Sequence, residues 1–192
     1  MKSRFFIFIL LILASLMITS CATTSTVKEP DPNRIVAAKR FLHAFDAKKL
    51  VTIGLERALE KEVSKYPEGA KELTRRVMSN IKAEDFIDMM AEIYARNLTR
   101  GSLTELAKFV ESPTGNRFFN LIIDSALEGK QANVQNEVMS KFNADELTEI
   151  MRFSMSPAFK KMNRVQYKIN RELMEAGRQL GQEKIQEYLE QN

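Results

Sequence analysis

From Arg34 onward the apolar residues return at steps of three and four. Ile35, Ala38, Phe41, Leu42 and Phe45 form one such series. After a break near Asp46-Ala47 come Leu50, Ile53, Leu55, Ala58, Leu59 and Val63. That spacing lines one face of an α-helix. Tyr66-Pro67-Glu68-Gly69 reads as a turn. A third stretch carries Leu73, Val77, Met78 and Ile81, and a fourth carries Phe86, Ile87, Met89, Met90, Ile93, Tyr94 and Leu98. No stretch shows the period-two alternation of a half-buried strand. The pattern predicts an all-α fold, with a single helical domain of about six or seven helices over residues 34–192.

Two Ser-Pro corners punctuate this pattern. Leu103-Thr104-Glu105-Leu106-Ala107-Lys108-Phe109 leads to Ser112-Pro113, and Leu147-Thr148-Glu149-Ile150-Met151-Arg152-Phe153 leads to Ser156-Pro157. Proline pushes the residue before it out of the α region, so each serine must turn the chain. The same serine can cap the next helix, with proline as its first residue. Each corner thus predicts a short helix, a sharp turn and a second helix, and the pair reads as a candidate internal repeat, with the second copy near 142–165. Glu105 with Lys108, and Glu149 with Arg152, are spaced to pair along the outer helix face.

The first residues follow another pattern. Lys2 and Arg4 precede Phe5 to Ile18, which is apolar apart from Ser15. The run is shorter than the roughly 20 residues of a membrane span and has the length of a signal-peptide core. Ile18-Thr19-Ser20-Cys21 then resembles a bacterial lipobox, whose cysteine receives lipid and becomes the new N-terminus. Residues 1–20 are therefore read as a cleaved lipoprotein signal and Cys21 as the lipidation site. Residues 21–33 hold the lipidated cysteine and a solvated tether, at most about 40 Å long. Asp31 and Asn33 are placed to cap the first helix. Ala22, rather than an aspartate, favours the outer membrane, facing the periplasm, if the host is Gram-negative.

Composition narrows the chemistry. One Cys and one His exclude an internal disulfide framework, a multi-cysteine zinc site and a two-histidine metal site. The chain has 29 Lys+Arg against 25 Asp+Glu, and Lys2 and Arg4 leave with the signal, so 27 face 25 and the net charge falls from +4 to +2. That balance gives no reason to expect a nucleic-acid partner.

The stretch from Phe86 to Arg117 resembles the bacterial family called domain of unknown function 2059, with a family-like core over about residues 84–130. Tyr94, Thr99, Glu105, Phe109, Ser112, Pro113, Gly115 and Arg117 carry the resemblance. Leu98 stands where the family commonly has Phe, Val110 where it has Tyr, and Gly101-Ser102 where Glu-Glu is frequent. The resemblance implies a helical, exported protein of the bacterial envelope and no established activity.

Candidate chemistry is sparse. Asp85, Asp88 and Glu92 share a helix face but read as a solvated acidic face. His43 and Asp46 are spaced to pair. No phosphate-binding glycine loop or Gly-x-Ser-x-Gly motif occurs. No catalytic residue, metal ligand or cofactor is expected. The methionines read as filler between helices, with a groove for an apolar peptide or lipid as the alternative. In the last helix, Lys161, Arg164, Lys168 and Arg171 form a basic stripe opposite Met162, Ile169, Leu173, Ala176 and Leu180. It is a candidate contact for anionic headgroups or an acidic partner. The expected function is a non-catalytic, lipid-anchored envelope protein that binds a protein or another envelope component. The alternatives are a carrier or sensor of a small hydrophobic ligand in an interhelical cavity, and a hydrolase working with carboxylates alone.

Overall fold

The computed structural model describes residues 30–63, 71–72, 75–76, 82–128 and 134–191. Cys21, most of the tether, the Tyr66–Gly69 turn and the Leu73, Val77, Met78 and Ile81 stretch lie outside the described residues. The fold is all-α. Among the described residues there are eight helices and no strand: α1 (Pro32–Ala44), α2 (Ala47–Val63), α3 (Ala83–Asn97), α4 (Arg100–Glu111), α5 (Pro113–Leu127), α6 (Val134–Lys141), α7 (Ala144–Met155) and α8 (Pro157–Gln191). No helix of these residues is long and apolar enough to cross a membrane.

Local chemistry sets the helix ends. Asp31 caps α1 by accepting the Asn33 N–H at 2.9 Å, and Pro32 takes the first helical position, where a missing N–H costs nothing. The helix therefore begins two residues inside the stretch read as tether. Asp46 breaks α1 from α2 in the left-handed region, φ 52°, which aspartate tolerates better than most residues. Its carboxylate accepts the Lys49 N–H at 3.4 Å at the start of α2. Thr99 caps α4 through the Ser102 N–H at 3.2 Å. Asn143 and Glu146 form a reciprocal capping box at the start of α7, with bonds of 3.0 and 2.9 Å.

The core is held by helices distant in sequence. α1 packs on both α3 and α4, and α8 packs on the same two helices. α3 presents Ile87, Met90, Ala91, Tyr94 and Ala95, and α4 presents Leu103, Leu106, Ala107 and Val110. Leu42 of α1 and Ile169 of α8 are fully buried against this set. Burial of each such side chain stabilises the fold by roughly 1.5–3 kcal/mol. The apolar line expected on the last helix is the packed one: Met162, Ile169 and Leu173 are buried, and Ala176 and Leu180 are half-buried. Arg40 of α1 clamps Glu111 of α4 from outside, with two bonds of 2.7 and 2.5 Å.

Candidate functional site

Both Ser-Pro corners form as their sequences predict, with matching geometry. Ser112 lies at φ −69°, ψ 153° and Ser156 at φ −64°, ψ 151°. The Ser112 hydroxyl accepts the Gly115 N–H at 3.1 Å, and the Ser156 hydroxyl accepts the Phe159 N–H at 3.2 Å. The serine N–H groups donate back to Phe109 and Phe153 at 3.0 and 2.9 Å. Phe109 and Phe153, at equivalent places, stack on each other, and Phe153 also meets Phe159.

The corners differ three residues after the serine, where Gly115 stands against Phe159, and at the serine hydroxyl. The Ser112 hydroxyl shares its single proton between the Phe109 carbonyl (2.8 Å) and the Glu149 carboxylate (3.1 Å), linking the first corner to the helix of the second. The outer-face pairs expected within each helix do not form: neither Glu105–Lys108 nor Glu149–Arg152 is an ion pair. An exposed pair at that spacing is worth only about 0.2–0.5 kcal/mol, too little to hold Glu149 away from Ser112.

Of the residues that carry the resemblance, Tyr94, Phe109, Ser112, Pro113 and Gly115 are built into the core or the corner. Tyr94 is buried in the core, its ring 5.7 Å from that of Phe41, and burial pushes its phenol well above the usual range. Phe109 is in the core, and Ser112 and Pro113 make the corner. Gly115 sits where an added Cβ would lie 1.7 Å from the Phe109 carbonyl oxygen, so only glycine fits. Glu105 is exposed on the outer face of α4.

The acidic face of α3 is used piecemeal. Asp85 accepts the Lys82 N–H at 3.1 Å, Asp88 meets Lys39 of α1 at 2.8 Å, and Glu92 lies 3.9 Å from Arg96. Among the described residues no three His, Cys, Asp or Glu side chains are grouped to hold a metal ion. His43 and Asp46 meet through their backbones: the Asp46 N–H donates to the His43 carbonyl at 3.0 Å, while the aspartate side chain serves α2.

A cleft of about 390 Å³ runs along α5 and α6, lined by Arg117, Asn120, Asp124, Glu137, Lys141 and Phe142. Both of its cations are paired with acids. Arg117 pairs with Glu146, donates to the Lys141 carbonyl at 2.9 Å and lies 4.8 Å over the Phe142 ring. Lys141 meets Glu137 at 2.8 Å.

Two surface features stand out. The first corrects the expectation for methionine. Met90 and Met162 are in the core and Met89 packs against it, but Met139, Met151, Met155 and Met174 are exposed, Met151 and Met155 by 59% and 63%. Steps of four place Met151 and Met155 side by side on the outer face of α7, because Phe153 turns the opposite face to the core. The second is the basic stripe. Lys161, Arg164, Lys168 and Arg171 are all exposed on α8. Lys168 is tied to Glu172 of its own helix at 3.5 Å, and Glu172 in turn accepts from Asn97 of α3 at 2.9 Å. Lys161, Arg164 and Arg171 make no ion pair. Two residues complete this face that the stripe left out, Lys160 and Tyr167, the latter 79% exposed. The step 160, 164, 167, 171 held that information, since it follows the outward line of the same helix.

No curated protein and no solved structure matches the chain. Residues 84–136, which span α3, α4, α5 and the first turn of α6, match the family described as an uncharacterized protein conserved in bacteria (DUF2059).

Proposed function

We propose that this is a non-catalytic, lipid-anchored protein of the bacterial envelope that binds another envelope protein. The observation that carries the binding reading is the exposure of Met151 and Met155 side by side on α7. Large apolar side chains left in water beside a well-filled core favour a partner, and methionine adapts its shape to one. The anchor rests on the sequence alone, on an apolar run followed at once by the only cysteine of the chain. Each lipid methylene adds roughly 0.8 kcal/mol of membrane affinity, and two acyl chains hold a protein durably. Lipidation takes up the Cys21 thiol, which leaves no thiol for nucleophilic or redox chemistry. The outer membrane, facing the periplasm, is the proposed location if the host is Gram-negative.

The test places a photo-crosslinking residue at Met151 or Met155 in living cells. The expected result is one envelope protein captured at these positions, lost when Met155→Glu is added, and not captured from Val36, which is exposed on α1. Capture of lipid without protein would overturn the binding reading. The anchor is tested separately: Cys21→Ala should move the protein out of the membrane fraction or leave it unprocessed, and wild-type behaviour of that variant would remove it.

A further inference from the structure

Cations that bridge helices in this protein meet acids, as Lys39 meets Asp88 and Arg40 meets Glu111. The first half of α8 is different. From Pro157 to Arg171 it holds Lys160, Lys161, Arg164, Lys168 and Arg171 and not one Asp or Glu. All five are exposed, and only Lys168 has an acidic partner, one turn further along its own helix. At 100° per residue, Lys160, Arg164, Tyr167 and Arg171 fall within an arc of about 60°. The opposite side is pinned to the core by Ala158, Met162 and Ile169, so the face cannot roll away. Tyr167, 79% exposed, sits in the middle of the cations.

We infer that this face of α8 docks on the anionic phospholipid surface of the membrane to which the protein is tethered. The inference rests on the lipid-anchor reading for proximity. Charge complementarity names the occupant: a row of exposed cations along one helix face, with no acid on that stretch of the helix, matches a sheet of negative headgroups. Lysine and arginine reach the headgroups on long stems, and tyrosine places an apolar ring with a polar tip at the same level. Electrostatic attraction fades over about 8–10 Å at physiological salt, so the face needs delivery to the surface. A tether of at most about 40 Å supplies it. Docked in this way, the domain lies on its side, with α8 along the membrane.

The absence of tryptophan gives a clean test. Tyr167→Trp makes a single reporter in the full-length, lipidated protein. It is reconstituted into vesicles of phosphatidylcholine alone or of phosphatidylcholine with phosphatidylglycerol, both with brominated acyl chains. The expected result is quenched, blue-shifted emission in the anionic vesicles only. Lys161→Glu, Arg164→Glu and Arg171→Glu together should abolish it, each reversal weakening attachment about fivefold or more. The glutamine versions, which keep the helix without adding acids, should lose part of it. Equal emission in the two vesicle types, or emission unchanged by the charge reversals, would overturn the inference. So would loss of a captured acidic protein in the reversed variant with vesicle quenching intact. Flotation with the neutral vesicles reports the anchor on its own, so its failure is seen separately from failure of docking.

Discussion

The rings of Phe109 and Phe153 lie face to face, with centroids 3.8 Å apart and planes within 8°. The two residues hold equivalent places in the two Ser-Pro corners, so the stack joins like to like across the core. Phe119 touches both rings from the side, at 6.3 and 6.4 Å. Truncation of Phe153 to alanine is expected to cost about 3–5 kcal/mol. A double-mutant cycle with Phe109→Ala, read by urea unfolding, should return a coupling of about 0.5–1.5 kcal/mol. Additive losses would mean that each ring acts only by filling space.

Gly115→Ala should be among the most damaging single-methyl additions in the protein. The new Cβ would overlap the Phe109 carbonyl, which is backbone and cannot swing aside. A loss of about 3 kcal/mol in unfolding free energy is expected, at the upper end for overpacking. The equivalent position of the second corner already carries Phe159, so Phe159→Ala should be harmful for the opposite reason, loss of buried volume.

The two capping serines should not be equivalent. Ser156→Ala removes one cap and should cost about 1 kcal/mol. Ser112→Ala removes a cap and also leaves the half-buried Glu149 without its hydroxyl partner, so its loss should be about 1 kcal/mol greater. Thermal unfolding of the two variants side by side checks the order. Equal shifts would show that the Ser112–Glu149 bond adds nothing.

Acid should loosen the contact of α1 with α4. The Arg40 hydrogen bond, and then its charge, hold the Glu111 carboxyl below the usual carboxylate range, and Lys48 does the same to Glu84. A lowered folded-state value means that both contribute stability above the ordinary pKa of about 4.3, lost as pH falls through the folded value. Stability measured against pH should therefore fall on that acid side. In Glu111→Gln the fall should be shallower, because one of the two groups no longer titrates.

Much of the fold can be read from spacing. The break at Asp46, the capping role of Asp31 and both Ser-Pro corners follow from residue chemistry acting over a few positions, and the helices form there. Partner choice between distant helices is less legible. Nothing local says that Glu149 turns to Ser112 instead of Arg152, or that Asp88 reaches Lys39, since those bonds depend on how α7 meets the first corner and how α1 crosses α3. Methionine misleads for a related reason. Its apolar character is the same on either side of a helix, and the burial of Phe153 is what turns Met151 and Met155 outward.

The Arg40–Glu111 clamp joins residues separated by 71 positions, and Asn97 reaches Glu172 across 75. For a helical protein these are long spans, and they raise the contact order that sets folding speed. The individual helices can form early on local bonds, but the α3–α4 core stays uncovered until α1 arrives from upstream and α8 from downstream. A fragment cut at residues 84–136 would lack both covers and leave the stacked face of Phe109 in water. Residues 84–136 therefore form the centre of a folding unit that closes only when helices from both flanks have docked on it.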